Sequence, residues 1–352
     1  MDWLDGLDTD NLLQVMEQQL QDMLPSFSVR QLFEQMMTGE LQFDFWSLLQ
    51  QLGQAVWTAA TAQFDLLGQL ILLAIAFAVL RQLEGSFSSS NIQKMSSLVI
   101  QAITVLLILQ SSRLVLADCQ QAITRLTTLM EALLPVQLLL MAGLGNVKTA
   151  GLLQPSLLLT IQFTAFGVQN VLMPLVTMEL LLKLVNSFSD TYRLTSLAAF
   201  LRKVILTAIS FSVMLFLAIL SIQGISGQAL DRLSLQALKY VTGNAIPVVG
   251  GMLSGMLGTL ISGGILIRNA VGIVGLLVVL VLTLLPALKI LVLYFLYSFA
   301  AALLQPLGDS RMITLLEQTA GSFMLAFAAV ALTGVLFFFM ILIVLAASGT
   351  SL

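Results

Sequence analysis

The sequence predicts an all-α, polytopic integral membrane protein with about six to eight transmembrane helices and further amphipathic interfacial helices. Three observations carry that prediction. Of 352 residues, 58% are apolar and 9% are charged, against about 25% charged in a soluble domain. The apolar residues fall in long runs with little charge inside them, as lipid-crossing helices of roughly 20 residues require. Nor do these runs alternate polar with apolar, as barrel strands of about 10 residues do.

The first part of the chain differs from the rest. Residues 1–65 hold ten acids (Asp2, Asp5, Asp8, Asp10, Glu17, Asp22, Glu34, Glu40, Asp44 and Asp65) against the single base Arg30. Leu12, Val15, Met16, Leu20 and Met23 recur near helical spacing, Thr9 or Asp10 suits a cap, and Pro25 ends the run. A second amphipathic stretch covers 29–37, with Gly39 closing it. We expect residues 1–63 to form an acidic helical domain lying against the bilayer, outside the cytoplasm. Phe43, Phe45, Trp46 and Trp57 suit the interface, where aromatic rings are favoured.

Residues 64–352 form the polytopic body. A first span is expected over 64–83 and a second over 95–116. Between 117 and 134, Ile123, Leu126, Leu129 and Leu133 share a face opposite Gln120, Gln121 and Thr127, so this segment reads as an amphipathic helix. The long run 152–185 contains Pro174, and is either one kinked span or two shorter ones. Spans follow at 204–222 and 322–347. A second amphipathic helix is expected over 228–241, with Leu230, Leu233 and Leu238 opposite Asp231, Ser234 and Lys239. The stretch 267–304 is long enough for two helices meeting at Pro286.

Loop bases set an orientation. Lys183, Arg193, Arg202 and Lys203 face only Asp190 in the segment 183–203, so the positive-inside rule puts it in the cytoplasm. With three spans before it, the acidic part lies outside. Met1 leads straight into acidic residues without the basic and apolar regions of a signal peptide. An exported N-terminus therefore implies a processed or shortened chain, and the alternative is an N-terminus that stays inside.

One motif is regular. Within the glycine- and serine-rich segment 244–265, Gly250, Ser254, Gly258 and Ser262 form one four-residue ladder, and Gly251, Gly255, Thr259 and Gly263 form the next. On a helix these make a strip almost without side chains, which lets two backbones approach closely in lipid. Packing within the chain and a self-association or pore-lining seam both fit the strip. At about 1.5 Å per residue the stretch 250–265 reaches about 24 Å, so a re-entrant or interfacial hairpin element is a further option.

Reactive chemistry is scarce. With no histidine there is no imidazole base, ligand or neutral-pH switch. Cys119 alone makes neither an intrachain disulfide nor a cysteine-only zinc site, and reads as a small buried thiol. No phosphate-binding loop ending in Lys-Ser/Thr is present. Glu179 and Lys183, four apart, are expected to pair, while Arg268 and Lys289 are placed to snorkel from span ends. No acid falls at the centre of an expected span, which disfavours an ion-coupled transporter. Gln69, Gln101, Gln110, Gln154, Gln162, Gln169 and Asn170 suit interhelical hydrogen bonds. No catalytic, cofactor-binding or metal-binding residue is assigned, and no nucleic-acid partner is expected.

Two stretches carry a family resemblance. YVTGNAIPVVGGML (240–253) and LPALKILVLYFLYSFAAALLQPLG (285–308) resemble the C-terminal half of the stage III sporulation protein AE family of endospore-forming Firmicutes. The matching positions include Asn244, Pro247, Gly250, Pro286, Lys289, Gln305, Pro306 and Gly308. The resemblance implies a mother-cell membrane subunit of a secretion-like channel complex joining mother cell and forespore after engulfment. It further implies partnership with the other stage III A-operon products and with a forespore membrane protein, and no catalytic residues. A homo-oligomer in the lipid bilayer is expected. The alternative class is a stand-alone permease or secondary transporter for a small solute; an intramembrane enzyme lacks the residues for it.

Overall fold

A computed structural model of the chain describes residues 9–24, 27–38, 45–62, 68–69, 71–72, 75–76, 90–188, 194–219, 249–307 and 310–349. Among the described residues there is helix and no strand. The short helices are α1 (Thr9–Gln21), α2 (Val29–Thr38) and α3 (Phe45–Ala62). The body is built from α4 (Ser90–Gly143), α5 (Val147–Phe166), a π-helical turn (Gly167–Leu172), α6 (Met173–Phe188), α7 (Thr195–Ile219), α8 (Val249–Leu304) and α9 (Ser310–Gly349). Five segments are long and apolar enough to cross a membrane: Gln101–Gly143, Val147–Phe188, Thr195–Ile219, Gly264–Leu304 and Arg311–Ala347. The expected first span over 64–83 and the amphipathic helix over 228–241 lie largely or wholly outside the described residues.

Cross-helix contacts give the topology. Arg268, Thr283 and Tyr297 on α8 meet Leu345, Gly334 and Phe323 on α9, so those helices run antiparallel. Ser111, Leu133 and Gln137 on α4 meet Tyr297, Gly275 and Arg268 on α8, again antiparallel. Glu131 and Thr124 on α4 bond Gln162 on α5 and Gln169 in the π turn. The body is thus an up-and-down bundle. The α8–α9 pair forms its centre, with Val274, Val278, Leu282, Ala329, Val330, Phe337 and Met340 fully buried. In contrast, α7 is peripheral and presents Phe200, Phe211, Met214 and Leu217 outward, a surface suited to lipid rather than water.

Local chemistry explains where helices stop and where they do not. At the α4–α5 turn Gly145 takes φ 93°. Its N–H bonds Ala142 O, while Asn146 N–H reaches back to Met141 O. This is the glycine-terminated helix end in which the last carbonyls are satisfied. Ser28 opens α2, its Oγ accepting the Gln31 N–H at 3.3 Å, an N-cap contact. The run 152–185 belongs to one continuous helical stretch, Val147–Phe188, rather than to two separate spans. It continues through the π turn Gly167–Leu172 just before Pro174. That turn changes the hydrogen-bond register where the proline ring crowds the preceding carbonyls.

Two expected boundaries are corrected. Pro286 does not separate two helices, because α8 runs unbroken through it. A proline removes one backbone donor, and in a helix packed on several sides by neighbours that single loss does not undo the rest. The amphipathic 117–134 segment is likewise the middle of α4 rather than a separate element. Its expected apolar face is right: Ile123, Leu126, Leu129 and Leu133 are all 0% exposed. They face the bundle instead of a bilayer surface. At about 1.5 Å per residue α4 extends about 81 Å, far beyond the roughly 30 Å of hydrocarbon.

The short helices dock on this bundle. Leu12, Met16 and Leu20 of α1 and Val29, Leu32 and Met36 of α2 are buried, and the two helices pack against α4 and α8. Arg125 of α4 holds α1 from outside, pairing with Asp22 at 2.8 Å and bonding Gln19 O at 2.8 Å. Gln101 of α4 bonds Ser187 O beside the basic 183–203 segment. Residues 101 and 125 are about 36 Å apart along the helix, so the acidic helices and the end of α6 occupy opposite halves of the bundle. On α3, Trp46 and Trp57 are each 68% exposed.

Candidate functional site

Polar groups inside so apolar a bundle are few, and their placement is informative. The most concentrated group sits where α6, α7 and α9 meet. Helical spacing brings Glu179 and Lys183 to the same side of α6, and they form an ion pair. Glu179 is 0% exposed. Its second oxygen accepts a hydrogen bond from Ser322 Oγ of α9 at 2.5 Å. Lys183 Nζ also donates to Gln318 O at 3.1 Å and to Ser322 Oγ at 3.0 Å. The three ammonium donors and both carboxylate oxygens are therefore committed. A charge is kept inside a membrane helix bundle when it is paired in this way. So closed a network ties α6 to α9 and leaves no free base for chemistry.

Arg202 of α7 completes the group. Its Nη1 lies 3.0 Å from where a Cβ on Gly321 would stand, so the missing side chain lets the guanidinium lie against α9. A cavity of about 170 Å³ opens here, lined by Glu179, Lys183, Asn186, Thr195, Ala198, Ala199, Arg202 and Gln318. Asn186 Oδ1 accepts the Leu194 N–H at 2.8 Å and so fixes the start of α7.

A second polar group lies at the other half. Arg268 was expected to snorkel from a span end. Instead it is 3% exposed, and its Nη2 donates to Leu345 O and Asn269 Oδ1, each at 3.1 Å. The cation thereby faces the carbonyl end of α9, where the helix dipole favours it. Gln137 of α4, 0% exposed, donates to Arg268 O at 3.3 Å. A third link is Tyr297, whose hydroxyl meets Ser111 Oγ at 2.5 Å and whose ring stands edge-on to Phe323.

The small-residue ladder falls on one continuous helix. Gly250, Gly251, Ser254, Gly255, Gly258, Thr259, Ser262 and Gly263 form the first turns of α8; what their faces meet lies outside the described residues. Close glycine contacts appear elsewhere. A methyl group at Gly334 would stand 2.1 Å from Thr283 Oγ1, one at Gly272 2.4 Å from Leu345 Cδ2, and one at Gly275 2.9 Å from Leu133 Cδ1. Isolated glycines inside apolar runs were the available signal for these crossings. Of the family-like positions, Pro286 and Lys289 lie one turn apart in α8, and Gln305 and Pro306 form the 3₁₀ turn Gln305–Leu307 that ends it. Asn244, Pro247 and Gly308 fall outside the described residues. Cys119 is buried and unpaired. Among the described residues no cluster of three or more His, Cys, Asp or Glu is placed to hold a metal.

Fold and polar network together define a class: an all-α multi-span membrane protein whose ionisable groups join helices. The sequence model of the stage III sporulation protein AE family matches residues 27–348. Stage III sporulation protein AE of Bacillus subtilis (strain 168) is 32% identical over 314 residues, covering 89% of this chain and 79% of that protein. The chain belongs to the stage III sporulation protein AE family. No solved structure matches it.

Proposed function

We propose that the chain is a mother-cell membrane subunit of the channel or secretion-like complex that connects mother cell and forespore, acting as a structural or gate component needed for endospore development after engulfment. Family membership is the observation that carries this reading. The helix-joining use of Glu179, Lys183 and Arg268 supports a role exercised through helix contacts, with no reaction of its own. Its partners are the other stage III A-operon proteins, a forespore membrane protein and further copies of this chain. The ladder from Gly250 to Gly263 is the proposed seam for those contacts, since small residues at four-residue spacing favour close helix crossings.

The test is Gly255→Leu in a sporulating host. A leucine in the middle of the strip blocks close approach, so spore yield should fall by orders of magnitude, with arrest after engulfment and the protein present at wild-type level. Normal spore yield at normal protein level would sink the seam.

A further inference from the structure

The cavity between α6, α7 and α9 has an unused set of donors. Lys183 and Glu179 are spent on each other, on Ser322 and on Gln318 O. Arg202 has no ion-pair or hydrogen-bond partner among the described residues, although it lines the cavity. Its planar guanidinium offers five N–H donors in a fork that matches phosphate oxygens. Asn186 uses its Oδ1 on Leu194 N, which turns its amide NH₂ into the remaining polar group. Thr195 brings a hydroxyl and also begins α7, and the start of a helix carries unsatisfied N–H groups and partial positive charge. The lining side chains not already committed are thus an arginine, the Asn186 and Gln318 amides and a hydroxyl, beside a helix N-terminus. One carboxylate is present, and its oxygens are occupied. Such a set suits an oxyanion.

We propose that this cavity binds a phosphate group, with Arg202 as the principal contact and Asn186 and Thr195 as supporting donors. Its cavity of about 170 Å³ takes a tetrahedral anion with bridging water. α7 is 11% buried over its apolar window, so lipid reaches the cavity's edge. Basic pockets between spans are where anionic headgroups settle. The phosphate thus comes either from an anionic phospholipid or from the aqueous phase.

The full-length protein, purified in detergent, decides. One arm titrates phosphatidylglycerol in mixed micelles, read by native mass spectrometry and thermal unfolding; the other titrates inorganic phosphate, read by thermal unfolding. Saturable binding in the first arm identifies a lipid headgroup, and in the second a free anion. In either arm Arg202→Gln should weaken binding at least ten-fold, while Lys203→Gln, an exposed neighbour outside the lining, should leave it unchanged. Thr195→Val should weaken it several-fold without touching a charge, and it decides the matter if Arg202→Gln does not fold. No saturable binding in either arm, or binding that both Arg202→Gln and Thr195→Val leave intact, overturns the proposal.

Discussion

Gly334 offers the most quantitative test of how the bundle is held. A methyl group added there would stand 2.1 Å from both Thr283 Oγ1 and Cγ2 and 2.6 Å from Thr283 Cβ. Rotating the threonine side chain moves the first two atoms but not the third, which is fixed to the α8 backbone. Restoring ordinary contact at 3.4 Å requires α8 and α9 to part by 0.8 Å at this crossing. A gap of about 0.5–1 Å forfeits a quarter to a half of each dispersion contact, and Val279, Leu282, Val330 and Phe337, each within about a turn of this crossing along its helix, are fully buried. Overpacking of this kind costs about 1–3 kcal/mol. Alanine also gains about 1 kcal/mol over glycine in any helix, so the reference is Gly151→Ala in α5, where nothing lies within 4 Å of the new methyl. Thermal unfolding of the purified proteins should therefore place Gly334→Ala below Gly151→Ala by about 1–3 kcal/mol. Thr283→Gly in the Gly334→Ala background removes all three clashing atoms and should recover most of the difference. Equal stability of the two alanine variants would refute the close α8–α9 crossing.

Two further outcomes are expected. Lys183→Met leaves Glu179 as an uncompensated buried charge and should cost about 3–5 kcal/mol, whereas Ser322→Ala removes a hydrogen bond worth about 0.6 kcal/mol on average between membrane helices. Adding Glu179→Gln should restore much of the loss; a Lys183→Met variant no worse than Ser322→Ala would show that the pair is solvated. Reporter fusions at Asp190 and Gln35 should report cytoplasmic and extracytoplasmic positions respectively, and a cytoplasmic signal at Gln35 would overturn that orientation.

Much of the fold was legible because lipid imposes a simple pattern. The apolar runs mark the spans, and the face made by Ile123, Leu126, Leu129 and Leu133 follows from helical spacing alone. Continuity was less legible. Pro174 and Pro286 read as breaks, since sequence does not reveal whether a π turn or packed neighbours will absorb the lost hydrogen bond. The Glu179–Lys183 pair was visible as an i,i+4 spacing, but its closure by Ser322, 143 positions away, was not. Arg268 shows the same limit: a cation near a run's end suits snorkelling until tertiary contacts bring the end of α9 to it. Arg202 was read only as loop charge. Its place over a cavity depends on Gly321 and Asn186, which carry no local signal for it.

The account's central claim is that this chain works as a subunit of a larger membrane assembly through helix contacts. The most direct measurement places a photo-cross-linking residue at Gly255, and in parallel at Phe211 on the lipid-facing side of α7, in functional full-length protein within sporulating cells. Adducts to a second copy of the chain or to other sporulation membrane proteins, appearing at Gly255 and not at Phe211, are the predicted result. A chain that stays uncross-linked at Gly255 while spores form normally would contradict it.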